Sequence, residues 1–415
     1  MRFGINTLDD FAVNNKTVLC RVDINQPVDR INSTLKSTTR IKACIPTIRE
    51  LSDKGAKVVL LAHQGSDIEY KNFYTLAPHA VIISDLLGRK IKFIDDVCGP
   101  AALEAISSLK HGEILLLNNV RFCSEEQTLF EKSLKLTHEQ QTHTRLIEKL
   151  APLGDLYVCD AFAAAHRDQP SLCAFEYLMP SCMGRLFEKE YSVISELMET
   201  PEHPCTFVLG GAKIADAFEM METVLYKGIA DNILTGGLVG NIMLISQGYD
   251  IGRGSQDFIE HSGYSSFFEV SKKLIAEYSD KIVLPKDIAY VDSESRKEAE
   301  IHTVPQDSCA LDIGSETASE YTNIILKSKT VFVNGPMGVF ENPLTETGTS
   351  SVWDAIGDTD AYTVIGGGDS IAATSKYGKT DKISYICTGG GALIRFLSGE
   401  ELPVIKALRH SAIKF

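Results

Sequence analysis

The residues best spaced for chemistry in this 415-residue chain are those suited to phosphate groups. Five glycine-rich turns follow apolar runs in its second half: GGAK at 210–213, TGGLVG at 235–240, NGPMGVFEN at 334–342, GGGD at 366–369 and TGGGA at 388–392. Glycine lets the backbone approach an anion closely, exposed N–H groups donate to its oxygens, and a helix starting just beyond adds its positive dipole end. A single Gly-Gly after a strand is more often a plain tight turn; five in one half are harder to dismiss. Lys213 ends a Gly–Gly–Ala turn at the start of a helix, where an ammonium either meets a transferring phosphoryl group or stands on the surface. Asp369, after three glycines, suits a Mg²⁺ ligand or a helix cap. Glu341 either accepts from ribose hydroxyls or is solvated. Before residue 185 the runs instead end in Arg21, His63, Arg121 and, past a fourth run, His166 with Arg167. His63 and His166 read as hydrogen-bond partners or as satisfied loop residues rather than as general bases.

At 44% hydrophobic and 23% charged, the chain is ordinary globular material with room for roughly two or three domains. Its net charge of −14 excludes a general affinity for nucleic acid or anionic membrane, which depend on many Lys and Arg contacts. Nine of the fourteen arginines precede residue 185, so a local basic site belongs to that half. Ten irregularly spaced cysteines without a C-x-x-C pair, several inside apolar runs, read as reduced core thiols of a cytoplasmic protein. The N-terminus carries neither a signal nor a lipidation pattern, and no run of about 18 apolar residues spans a bilayer. The sequons at Asn15 and Asn32 are then chance matches.

The elements that must position these residues alternate as short apolar runs and amphipathic stretches, the signature of βαβ units. Strands are expected at 17–23, 57–63, 113–120 and 156–162, then at 205–211, 232–237, 281–287, 330–334, 362–366 and 384–388. Each reactive residue falls at or just past the carboxyl end of one, where open α/β sheets bind ligands. Between the halves, Phe187, Tyr191, Ile194 and Met198 recur at helical spacing with Pro180 before and Pro201 after, so a helix is expected to join two lobes. The expected fold is α/β, two doubly wound parallel-sheet (Rossmann-like) domains joined by a hinge helix. The segment 373–380 approximates a P-loop, but it lacks the first glycine and follows a helix rather than a strand. No G-x-G-x-x-G turn follows a strand, which argues against a nicotinamide-dependent dehydrogenase.

RVDINQP, LLAHQG, NVRF, DAFAAAHR, GGAKIAD, NGPMGVFE, GGGDS and TGGGA occur in that order, and together they resemble phosphoglycerate kinase, nearer to its archaeal branch. The resemblance implies a 3-phosphoglycerate domain at 1–180, an interdomain helix at 181–200 and a nucleotide domain at 201–395. A segment 396–415 would pack on a lobe, and in the family a comparable tail returns to the first domain. It implies Arg21, Asp23, Asn25, Arg40, His63, Arg121 and Arg167 for the glycerate and its phosphate. Catalytic roles fall by the same matching on Arg40, Lys213, Gly367 and Gly390. Nucleotide contacts fall on Gly210, Gly211, Lys213, Gly236, Gly237, Asn334, Pro336, Glu341, Gly366, Gly367, Gly368, Asp369 and Ser370, with Asp369 holding Mg²⁺. The implied reaction is reversible phosphoryl transfer between 1,3-bisphosphoglycerate and ADP in glycolysis and gluconeogenesis, direct and in line after hinge closure, by a cytoplasmic monomer. Two positions depart from the family pattern: Ser66, followed by Asp67, where an arginine is usual, and Ala217, where a second lysine is common.

Overall fold

Runs of β-branched and aliphatic residues need both faces covered, and the computed structural model buries them in two parallel sheets flanked by helices. It describes residues 1–29, 34–65 and 74–415. Asn32, Ser66 and Asp67 lie outside the described residues. The chain divides into two compact units, Met1–Ser192 with Glu401–Phe415, and Val193–Glu400.

In the first unit the strands are β1 (Thr17–Arg21), a two-residue pair β2 (Val28–Asp29) and β3 (Thr34–Leu35), then β4 (Lys57–Leu61), β5 (Lys92–Phe93), β6 (Ile114–Leu116), β7 (Leu156–Cys159) and β8 (Ser181–Met183). Six of them form a sheet in the order β5-β6-β4-β1-β7-β8, every neighbouring pair parallel. Val18, Cys20, Val58, Leu60, Ile114, Leu116 and Val158 make its core with Ile41, Cys44, Ile48 and Leu51. Those last four share one face of the helix Thr39–Asp53, spaced three or four residues apart. From β6 the chain crosses back over β1 to reach β7, so the switch point, where such sheets take ligands, lies beside β1.

The second unit has β9 (Cys205–Leu209), β10 (Asn232–Thr235), β11 (Ile282–Val283), β12 (Asp287–Asp292), β13 (Ser295–Glu300), β14 (Asp312–Ile313), β15 (Thr330–Asn334), β16 (Tyr362–Gly366) and β17 (Tyr385–Ile386). Its main sheet runs β11-β10-β9-β15-β16-β17, again parallel throughout. Strands are added outward from β9 and then outward from β15, which puts the switch point between those two. The expected strand 281–287 is interrupted, because Pro285 has no N–H for a ladder. β11 stops before it, and β12 starts a separate antiparallel sheet, β13-β12-β14. The β12–β13 hairpin turns at Ser293 and Glu294, with φ of 49° and 58°.

The expected linking helix forms over Arg185–Glu199, with Phe187, Tyr191 and Ile194 buried. The division between the units falls inside it. Asp160, at the end of β7, holds its start, Oδ1 accepting from the N–H groups of Leu186 (2.9 Å) and Phe187 (3.2 Å). In the first unit the final helix Pro403–Lys414 is anchored by Arg409 to the Tyr191 hydroxyl (3.1 Å), Ser411 to the Met179 carbonyl (3.3 Å) and Lys414 to the Tyr177 carbonyl (2.7 Å).

Candidate active site

In the first unit the segments at and past the carboxyl ends of β1, β4, β6 and β7, with the start of the helix Thr39–Asp53, carry the basic residues named above. Arg21 closes β1 fully buried, and its guanidinium donates to Ser171 Oγ (3.0 Å), the Val22 carbonyl (2.8 Å) and His63 Nδ1 (3.1 Å). Arginine has no acceptor, so His63 Nδ1 accepts and the ring proton sits on Nε2. Burial first, then the charges of Arg21, Arg121, Arg167 and Arg40, hold His63 well below the ordinary imidazole range. The imidazole is neutral, and four guanidiniums surround it. Asp23 accepts from Arg40 at 2.7 Å and from the Asn25 N–H at 3.1 Å. Asn25 accepts from the Gly65 N–H at 3.0 Å, while the Gly65 carbonyl takes an Arg121 N–H. Arg167 donates to Thr128 Oγ1 at 3.1 Å. All seven residues thus belong to one positively charged cluster, suited to a phosphorylated carboxylic acid.

Sequence reading missed the groups that hold this cluster in place. Ser171 Oγ accepts from Arg21 and donates to Glu126 Oε2 at 2.6 Å, and the Ser171 N–H reaches Glu126 Oε1 at 2.6 Å. Burial raises the Glu126 carboxyl, while Ser171 and Arg21 pull it back. Gln64 and Asn119 join three loops with their amides: Gln64 bonds the N–H and carbonyl of Gln26 (2.9 and 2.8 Å), and Asn119 donates to the Gln64 carbonyl (2.8 Å). Gln64 and Asn119 lie inside the HQG and NVRF runs, but their side chains serve loops far along the chain. Ser171 carried no signal of its own.

In the second unit the turns after β9, β15 and β16 begin at one level, because Asn334 pairs with both Leu209 and Gly366. Gly210, Gly211, Lys213, Asn334, Gly367, Gly368, Asp369 and Ser370 then line a common small pocket. The sequence reading gave these glycines free N–H groups, and here the structure differs. The N–H groups of Gly210, Gly211, Gly236 and Gly237 donate to the carbonyls of Asn334, Pro336, Leu209 and Met337, at 2.7 to 3.1 Å. The glycines instead allow the turns to touch. A Cβ on Gly335, at φ +95°, would lie 2.1 Å from the Gly210 oxygen, and one on Gly367, at φ +89°, 2.5 Å from Asn334 Oδ1. The donors left for an anion are the first N–H groups of the helices Ile214–Tyr226 and Gly368–Lys376. Lys213 is exposed at the head of the first helix. Ser370 is buried and accepts from the Gly335 N–H at 2.7 Å, which makes it a brace for the turn. Gly366 closes β16, buried. Gly390 opens the helix Gly390–Leu397 beyond the edge strand β17 and lines neither this pocket nor the larger one beside it. Ala217 is buried on the inner face of its helix, so that position offers no cation.

The larger pocket, about 320 Å³, has apolar walls from Leu238, Phe258, Pro285, Ile288, Leu311 and Val339. Pro336 is part of its lining, and Glu341 and Asp369 supply carboxylates. Such a slot takes a flat heterocycle, with Glu341 available to hydroxyls of an attached sugar. Asp369 faces both pockets from the first turn of its helix, exposed and with no protein hydrogen bond to its carboxylate among the described residues. An open hard-oxygen ligand beside a phosphate-sized recess fits Mg²⁺, which takes one or two carboxylates and completes its shell with phosphate and water.

These features have close counterparts. A family model described as phosphoglycerate kinase matches residues 8–400. Curated relatives named phosphoglycerate kinase include one from Methanothermobacter thermautotrophicus, 45% identical and covering 99% of this chain and 98% of its own. Another, from Methanococcus maripaludis, is 44% identical with 98% of each chain covered. The crystal structure of phosphoglycerate kinase from Pyrococcus horikoshii OT3 superposes with a TM-score of 0.87 at 39% identity, covering 99% of this chain and 100% of that one. That from Coxiella burnetii gives 0.82 at 30%, covering 97% and 98%. With the match running almost end to end in both sequence and structure, this chain belongs to the phosphoglycerate kinase family.

Proposed function

We propose that this chain catalyses the reversible transfer of a phosphoryl group between 1,3-bisphosphoglycerate and ADP, giving 3-phosphoglycerate and ATP, in glycolysis and gluconeogenesis. The observation that carries the reading is the pairing of two sites of complementary chemistry, each at the switch point of its own sheet. One is an arginine cluster around a neutral His63, with Arg21 and Arg121 buried, and the other a glycine-built recess beside an apolar slot. Phosphoryl transfer asks for little covalent chemistry; alignment and charge neutralisation suffice. Neither site presents a nucleophile–base pair, and none is needed for direct in-line exchange.

In this reading Arg21, Asp23, Asn25, His63, Arg121 and Arg167 hold the glycerate and its phosphate in the domain of residues 1–180. The domain of residues 201–395 takes the nucleotide: its base in the apolar slot, its ribose at Glu341, its phosphates at the two helix starts. Arg40 and Lys213 flank the group in transfer. A Mg²⁺ bound at Asp369 would offset phosphate charge. The interdomain helix acts as a hinge, and binding of both substrates favours a closed form; small-angle scattering should then show compaction with both ligands, and an unchanged radius of gyration would count against closure. The protein works as a cytoplasmic monomer; no described helix is long and apolar enough to cross a membrane.

The test is a coupled assay of the purified protein with 3-phosphoglycerate and MgATP, in the presence of an enzyme consuming the bisphosphorylated product. Steady turnover supports the reading. Binding of both ligands by calorimetry without turnover would make the chain a non-catalytic relative, with Ser66 and Ala217 the first positions to restore to Arg and Lys.

A further inference from the structure

The carboxyl edge of the first sheet also places two thiols side by side. Cys98 lies in the turn between β5 and the helix Pro100–Ser107, and Cys123 directly follows the 3-10 turn Val120–Phe122 that carries Arg121. β5 and β6 are adjacent parallel strands, and the Asn118 N–H donates to the Asp96 carbonyl at 3.0 Å, tying the loop that leaves one to the loop that leaves the other. Both thiols sit on these two tied loops, each the largest influence on the other's titration. They share the wall of an open pocket of about 470 Å³, with Asp96, Ser124 and Arg145 around them. Cys98 is 6% exposed, and Cys123 is one of two cysteines not classed as buried, Cys309 being the other.

We propose that Cys98 and Cys123 form a reversible oxidation site that closes to a disulfide by exchange with a small-molecule disulfide entering this pocket. The Cys98 thiolate attacks one sulfur of the incoming disulfide, whose S–S bond breaks and releases the first small thiol. Cys123 then attacks the Cys98 sulfur of the mixed disulfide, forming the internal bond and releasing the second. Two electrons leave the protein, and the two thiol protons end on the two released thiols. The order of attack follows from the surroundings. Cys123 lowers the Cys98 thiol most strongly; burial opposes it and Arg145 assists, while Cys123 is pushed up. Closure fixes the segment that carries Arg121, whose guanidinium bonds the Gly65 carbonyl in the basic cluster. The effect on substrate rests on the binding role proposed for Arg121; the chemistry of the thiols does not.

The test treats the full-length protein with oxidised glutathione at mildly alkaline pH, quenches with acid, alkylates in denaturant and maps the peptides by mass spectrometry. The protein should lose two of its ten thiols, yield a linked Cys98–Cys123 peptide and recover both thiols in dithiothreitol. Cys123→Ser should trap a glutathione adduct on Cys98. In parallel, the KM for 3-phosphoglycerate should rise about tenfold on oxidation and return on reduction, as for one weakened charge-assisted contact. Persistence of all ten thiols, or a link between other cysteines, would overturn the site. A mapped link with unchanged KM would overturn its coupling to Arg121. Absence of turnover in the reduced protein would instead count against the substrate reading, leaving the thiol mapping unaffected.

Discussion

Ser171 offers the sharpest test of how the arginine cluster is held. Its hydroxyl accepts from Arg21 at 3.0 Å and donates to Glu126 at 2.6 Å, and all three residues are fully buried. Ser171→Ala removes one oxygen and leaves two buried polar groups without that partner, a guanidinium N–H and a carboxyl oxygen. A hydrogen bond to a charged group contributes about 1.5–3 kcal/mol, and its loss from a buried site is felt in full. Two such losses come to about 3–6 kcal/mol. For a unit of this size each kcal/mol lowers the melting temperature by about 2–4 °C, so a drop on the order of 10 °C is expected. The assay is denaturant unfolding followed by circular dichroism, alongside steady-state kinetics. Because Arg21 keeps its bonds to Val22 and His63, the KM for 3-phosphoglycerate should rise while the fold persists. A Glu126→Gln partner variant should show coupling with Ser171→Ala of about 0.5–3 kcal/mol. A stability loss below about 1 kcal/mol with unchanged KM would refute the bridging role.

Three further outcomes follow from the geometry. Gly335→Ala would drive a Cβ to 2.1 Å from the Gly210 oxygen at a φ of +95°; at about 1–3 kcal/mol for the backbone strain alone, nucleotide binding by calorimetry should weaken together with stability, and unchanged affinity would contradict the touching-turn account. Asp160 is raised to about 7 from 3.8, chiefly by burial. A carboxyl raised in the folded state binds its proton more tightly there, so stability falls as pH rises from about 4 to 7, by about 4 kcal/mol at 1.36 kcal/mol per unit. Asp160→Asn, which keeps an oxygen toward Leu186 and Phe187, should flatten that part of the unfolding profile; an unaltered slope would show the carboxylate to be ionised in the fold. His63 should remain neutral by NMR down to pH 6, and a protonated ring there would remove the electrostatic reading of the cluster.

Much of the fold was legible because parallel strands buried on both faces are continuous apolar runs, and the runs at 17–23, 57–63, 205–211 and 330–334 each contain a strand of their sheet. The helix over Arg185–Glu199 was legible from its apolar spacing. The short edge strands β5 and β8 left no pattern of their own, whereas the equally short β11 and β17 lie inside longer runs at 281–287 and 384–388. The β12–β13 hairpin was hidden for another reason: its two-residue turn uses Ser293 and Glu294 at positive φ, where Asn or Gly would have announced it. For the candidate site, residue types at strand ends showed where phosphate chemistry belongs. They did not show that the N–H groups of Gly210, Gly211, Gly236 and Gly237 are spent on protein carbonyls, nor that Ser171 and Glu126 brace Arg21, because those contacts join segments far apart in the chain.

Lys213 carries the central claim, since it is exposed at a helix start beside the phosphate-sized recess. The most direct measurement is the turnover of Lys213→Ala in the coupled assay, set against calorimetric affinities for 3-phosphoglycerate and MgATP. If Lys213 meets the phosphoryl group chiefly in the transition state, kcat should fall about 10²–10³-fold, as when one preorganised donor is removed, while both affinities stay within about threefold. Equal losses of affinity and turnover, or turnover at the wild-type rate, would contradict the account.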